Sequence, residues 1–197
     1  MTKEERIKNF EKLFISLHGD AAIKYIHDEK LMAYLKDGGF FDAPASTKYH
    51  GCYDGGLYDH SKAVTIALED ITKNMDLKWQ REESPFIIGM FHDLCKCDQY
   101  RKVEGTVVDL GETQLTSPAG FHYEYNTNTV LKGHGAKSVM ILSQFITLTE
   151  EEMLCIRYHM GAYEKEEWTE FDMAIRKYEN VLWCHTADQY ASKVVGT

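Results

Sequence analysis

Four histidines and two aspartates carry the chemistry this chain could perform: His60, His92, Asp93, His134, His159 and Asp188, with Lys96 just after Asp93. They lie far apart in the sequence, yet each falls in or against apolar surroundings. His60 sits on the stripe Leu57, Val64, Leu68 and Ile71, and His92-Asp93 ends the run FIIGMF. His134 lies between Gly133 and Gly135, His159 just before Gly161, and Asp188 after Ala187. An adjacent His and Asp at the end of an apolar helix cost desolvation energy unless something pairs with them. Helical bundles build metal sites from imidazoles and carboxylates projected inward by facing helices. Six such ligands suffice for two divalent ions if one carboxylate bridges them. Imidazole–carboxylate ligation suits iron, manganese, zinc, cobalt or nickel and disfavours calcium or soft copper. The chemistry open to such a pair is hydrolysis, with the pKa of a bound water lowered toward about 7 and a phosphoryl group clamped for in-line attack.

Taken singly, each of these residues also has a plainer reading. A lone histidine on an apolar face is commonly a packed core residue, and Asp188 alone would read as a solvated helix position. Lys96 returns to about the same helix face as Asp93, which suits a cation holding an anionic substrate group. It reads equally as a helix C-terminal cation favoured by the dipole. Cys95-x-Cys97 could bind metal, but two soft ligands alone do not close a tetrahedral site.

The elements that must position these residues read as helices. Thr2-x-x-Glu5 is a capping-box pattern before Ile7, Phe10, Phe14 and Leu17, and Asp20 opens a second helix over Ile23, Ile26, Leu31 and Leu35. Residues 40–55 read as loop. A stripe from Gly56 to Met75 predicts a long helix, and Ser84-Pro85 opens a buried one through Cys97. Residues 98–133, with Gly105, Gly111, Pro118 and Gly120, suit a hairpin and loops. Helix returns over Ala136–Phe145, after the capping box Thr149-x-x-Glu152, and in a last long run from about Glu170 to Lys193. The expectation is an all-α bundle of six to eight helices in one domain over 1–197, with a small β-hairpin inserted between 99 and 127.

Composition bounds the function. The chain has 197 residues, 44% hydrophobic and 27% charged, enough to bury a core without staples. Twenty-two basic against 31 acidic residues leave a net charge of −9, which argues against long nucleic acid as the partner. No stretch reaches the length of an apolar membrane span, and MTKEERIKNFEK lacks the apolar core of a signal. Five cysteines, an odd set without CxxC, suit reduced thiols in a cytoplasm.

The order His60, His92-Asp93, Asp188 resembles the HD-domain superfamily of metal-dependent phosphohydrolases. GGLYDH is similar to the family's GGLxxH segment, FHDLCK to its HD-[IL]-G-K run, and HTADQYASKV to the closing HxADxxxxK helix. GHGAKSV and IRYHMG resemble the segments of subgroups with two extra histidines and two metals. The resemblance covers residues 48–195, with residues 1–40 as added N-terminal helices; it is closest to small bacterial and phage members. Cys95 departs from it, standing where the family carries Gly or another small residue.

The resemblance implies that His60, His92, Asp93 and Asp188 hold a first metal, that Asp93 bridges, and that His134 and His159 complete a second site. The cofactor would be two divalent transition-metal ions, iron or manganese first, with zinc, nickel or cobalt compatible. Lys96 is similar to the family's phosphate-contacting lysine. His50 and Arg101 are candidates for substrate contact, with Tyr100 and Lys102 on the same rim, and His185 for orienting a ligand. His122 reads as structural. The substrate class implied is a nucleotide or another small phosphate ester. Two other readings stay open: a di-iron oxygenase of the wider superfamily, and a regulatory module that keeps the fold without the chemistry.

Overall fold

The computed structural model describes residues 1–105, 120–162 and 167–197, and the strand backbones at 107–109 and 114–116. It is a mostly α-helical fold with a small β-hairpin. Helices α1 (Lys3–His18), α2 (Asp20–Ile26) and α3 (Glu29–Asp37) precede α4 (Gly56–Met75) and α5 (Ser84–Phe91). A 3-10 turn over Leu94–Cys97 leads into strands β1 (Tyr100–Glu104), β2 (Val107–Asp109), β3 (Gln114–Thr116) and β4 (Phe121–Tyr125). Helices α6 (Gly135–Leu142), α7 (Glu150–Arg157), α8 (Glu167–Lys177) and α9 (Asn180–Tyr190) follow, and a π turn over Ala191–Val195 closes the chain. β1 pairs antiparallel with β4, Tyr100 opposite Tyr125, and β2 pairs with β3, Val107 opposite Thr116. The expected turn residues Gly111 and Pro118 lie outside the described residues.

The capping boxes form at Thr2 with Glu5 and at Thr149 with Glu152. α4 runs from Gly56 to Met75 as its stripe predicts, but several other runs divide or stop short, and nine helices rather than six to eight stand among the described residues. The expected 20–37 helix breaks because the Asp28 carboxylate accepts from the backbone N–H groups of Lys30 and Leu31 and so starts a new helix. The last long run breaks between Lys177 and Asn180. The buried Asn180 amide at the start of α9 donates to Lys78 O and Glu151 Oε1, each at 2.8 Å, and so ties the new helix to the loop after α4 and to α7. The helix expected to reach Cys97 stops at Phe91. Asp93 then takes φ −107° and ψ 22°, which turns its carboxylate inward.

The core is built on aromatic packing. Phe10, Phe14, Phe40, Phe41, Phe86 and Phe91 are fully buried, and the rings of Phe14 and Phe86 stack with centroids 3.7 Å apart. Such stacking adds about 0.5–1.5 kcal/mol to the burial itself. α4 and α5 cross in close contact at Gly89, where a Cβ would stand 2.6 Å from Thr65 Cα. That approach brings His60 of α4 and His92 at the end of α5 to 5.3 Å between ring centroids. No described helix is long and apolar enough to cross a membrane.

Candidate metal centre

His60 is aimed by its neighbour. Asp59, on the outer side of α4, takes Arg6 Nη2 at 3.0 Å and Tyr53 OH at 3.1 Å, so α1 clamps the first turn and His60 faces inward. His92 and His159 each follow the last turn of a helix, where backbone carbonyls lack intrahelical donors. Each ring uses the carbonyl three residues back: His92 Nδ1 lies 2.8 Å from Gly89 O and His159 Nδ1 2.7 Å from Ile156 O. His60 Nδ1 lies 2.9 Å from Thr197 O. A backbone oxygen only accepts, so each of the three Nδ1 atoms is the donor; in that tautomer of a neutral imidazole Nε2 keeps its lone pair, and the Nε2 atoms of His60 and His92 face each other at 3.3 Å. Burial depresses the His92 pKa and favours its neutral form.

Those lone pairs converge on carboxylates. Asp93 Oδ2 stands 3.6 Å from His60 Nε2 and 3.4 Å from His92 Nε2, while Asp93 Oδ1 stands 2.8 Å from His134 Nε2 and 3.3 Å from His159 Nε2. Asp188 Oδ1 approaches His60 Nε2 at 3.1 Å and His92 Nε2 at 3.8 Å. His60, His92 and His159 are fully buried, Asp93 is 1% exposed and Asp188 4%. Short as these distances are, Asp93 Oδ1, His134 Nε2 and His159 Nε2 form no hydrogen bond, because the atoms are not aligned for one. Lone pairs aimed at one another in a dry interior repel, and a cation between them turns the repulsion into ligation. The donors of His60, His92 and Asp93 lie within 4.8 Å of one another, as do those of Asp93, Cys95 and His134. These residues fit one or more divalent metal ions.

Lys96 is 5% exposed and places Nζ 2.6 Å from Asp93 Oδ2. Burial alone would raise the Asp93 carboxyl; the Lys96 ammonium beside it reverses the effect and holds it well below the ordinary carboxylate range. Burial alone would raise Asp188 as well; the imidazole of His60 at 3.1 Å, and after it those of His159 and His92, bring it down instead. The two carboxylates of Asp93 and Asp188 thus stand against the single ammonium of Lys96.

The remaining candidates divide. His50 is half-buried at the edge, its ring 4.9 Å from that of His60; burial first, then His60, pushes its pKa down to about 4. The His134 side chain keeps 28% exposure, so these two imidazoles mark the open side of the cluster. Arg101 is exposed on β1 and pairs with Glu124 at 3.1 Å, away from the buried carboxylates. Lys102 pairs with Asp54 at 2.6 Å, and His122 with Glu124 at 2.9 Å. The Tyr100 hydroxyl turns inward instead, its pKa raised by burial first and then by the charges of Tyr125 and Asp93. His185 Nδ1 donates to His159 O at 2.7 Å and steadies the turn that carries His159.

Two features escape sequence reading. Cys95, noticed only as a departure in size, sets Sγ 3.5 Å from His134 Nδ1. The carbonyls that orient the rings are backbone atoms, whose only signal is the three-residue offset from Gly89 to His92 and from Ile156 to His159. A groove of about 400 Å³ between α4 and α9, lined by Ala67, Ile71, Asn74, Trp183 and Tyr190, includes none of the six clustered donors. Comparison with family models, with curated proteins and with solved structures gives no match. The site stands on its own geometry.

Proposed function

We propose that this chain is a metal-dependent phosphohydrolase of the HD-domain type, cleaving a phosphate ester of a nucleotide or related small molecule. One observation carries the reading. Asp93 divides its oxygens, Oδ2 toward His60, His92 and Lys96, and Oδ1 toward His134 and His159. A carboxylate so shared suits a bridge between two ions, with Asp188 completing the set around His60 and His92.

Two bound divalent ions would supply an acidified water and a clamp on the phosphoryl oxygens. The chain's own residues do the rest. The bonds from Nδ1 to backbone oxygens hold His60, His92 and His159 in the ligating tautomer before metal arrives. Lys96 offers three donors, of which Asp93 takes one, leaving an ammonium to stabilise charge on a phosphoryl oxygen. Substrate would enter on the side of His50 and His134, and the buried walls exclude bulk water. The net charge of −9 favours a small phosphate ester over a polynucleotide. The described cysteines are all unpaired, which supports a reducing cytoplasm.

The test is metal analysis of freshly purified protein, then a screen of nucleotides and phosphodiesters with the metal found. Phosphate or nucleoside release that disappears on chelation is the expected result. Dioxygen uptake without phosphate release would replace this reading with an oxygenase. A fully loaded protein inert across the panel would replace it with a silent module.

A further inference from the structure

Three of the four clustered imidazoles are oriented by backbone oxygens; the fourth, His134, is different. It caps α6, and its Nδ1 faces the Cys95 thiol at 3.5 Å. Cys95 is fully buried and holds the same helix a second time: its backbone N–H donates to Ser138 Oγ at 3.0 Å. Ser138 N–H in turn donates to His134 O at 3.1 Å. One residue of the 3-10 turn therefore grips α6 at both the ring and the second turn.

The direction of the thiol contact follows from the other face of the ring. Had the thiol donated to Nδ1, Nε2 would carry the proton and should bond Asp93 Oδ1, which is only 2.8 Å away. Both atoms are instead buried and without a hydrogen bond. The consistent tautomer has Nδ1–H donating to sulfur, a weak but real acceptor, and the Nε2 lone pair facing Asp93 and His159.

We infer that Cys95 is a positioning residue for the second ion of the proposed pair: its sulfur accepts from His134 Nδ1, fixes the ligating tautomer, and stays outside the coordination sphere. This rests on the two-ion reading above. It assigns Cys95 the part that Gly89 O, Ile156 O and Thr197 O play for the other rings. It also makes the second ion the more easily lost, because a thiol holds an N–H less firmly than a carbonyl does.

The experiment is titration of metal-free protein with cobalt(II), read by metal content and by the visible and near-ultraviolet spectrum, for the wild type, Cys95→Ala and Cys95→Ser. Outer-shell partners of this kind are worth about 10–100-fold in metal affinity. Cys95→Ala is expected to weaken the second ion by a factor in that range and leave the first unchanged. Cys95→Ser, whose hydroxyl can accept from Nδ1, should recover most of the loss and guards against an alanine variant that fails to fold. The wild-type spectrum should lack a thiolate-to-cobalt charge-transfer band. Such a band, abolished in both variants, would overturn the inference by making Cys95 a ligand. Equal second-ion affinity in all three proteins would overturn it as well. A wild type that takes up one ion or none at saturation would instead refute the two-ion reading beneath it.

Discussion

Gly135 and Ile156 are in backbone contact where α6 meets α7: a Cβ on Gly135 would stand 2.5 Å from Ile156 O. The same carbonyl accepts from His159 Nδ1. The missing side chain at 135 thus lets the helix that follows His134 settle against the turn that aims His159, with the two rings 5.0 Å apart. Gly135→Ala should push α6 outward and separate the two imidazoles that face Asp93 Oδ1, while His60, His92 and Asp188 stay in place. Metal content should fall by one ion per chain with little loss of helical circular dichroism. Retention of the full complement would show that α6 can yield without moving His134.

Asp93→Asn keeps the volume of the shared carboxylate and removes its charge. Because both oxygens are engaged, on opposite sides, the substitution should cost both ions at once and abolish turnover. The fold should persist, since the buried aromatic cluster lies among α1, α4 and α5. A variant that still holds two ions would refute the bridging role.

Lys96→Met tests the ammonium separately from the metals. Metal content should be unchanged, because Lys96 Nζ pairs with Asp93 Oδ2 and, as an ammonium, has no lone pair to offer an ion. Loss of a donor aimed at developing negative charge costs on the order of 100-fold in kcat. Steady-state kinetics on whichever ester the screen finds will show it. Unchanged kcat and KM would return Lys96 to neutralising Asp93 within the fold.

Part of the cluster can be read from the sequence because His60 and His92-Asp93 interrupt apolar runs, where an unpaired His or Asp has a cost that demands a partner; His134, set between two glycines, gives no such signal and enters only through the resemblance. The helix breaks cannot. Ile23, Ile26, Leu31 and Leu35 keep helical spacing straight across Asp28, which serves as a solvated residue as readily as a cap. Asn180, at the start of α9, is held by a carbonyl 102 residues away at Lys78, a tertiary contact that local pattern does not encode. Arg101 follows the same logic: its type suits a phosphate, but strand pairing sets it opposite Glu124.

Glu152 should matter for stability and not for chemistry. It is fully buried and accepts from Arg81 Nε at 2.6 Å, Ser84 Oγ at 2.8 Å and Thr149 N at 2.9 Å, tying the starts of α5 and α7 to the preceding loop. Breaking a buried pair from one side costs up to about 3–5 kcal/mol. Arg81 retains 23% side-chain exposure, so about 2–3 kcal/mol is the better expectation for Glu152→Ala. At this chain length that lowers Tm by about 5–10 °C. Metal stoichiometry should be unaffected, and a Tm within a degree of wild type would remove Glu152 from the framework.

Metal removal should destabilise the protein in proportion to the ions lost. Without them the cluster keeps two carboxylates against a single ammonium, with imidazole lone pairs facing oxygens at 2.8–3.8 Å. A ligand that binds only the folded chain adds about 2.7 kcal/mol at one hundred times its Kd. Each occupied site should then raise Tm by about 5–10 °C. The donors come from α4, the ends of α5 and α7, the cap of α6 and α9, so the gain is shared across the bundle and the transition should stay cooperative. Calorimetry of chelator-treated protein, before and after adding back the native metal, measures it. Asp93→Asn should show no metal-dependent shift. A wild type whose Tm ignores both chelator and metal would mean that the buried donors pair among themselves and that no ion belongs between them.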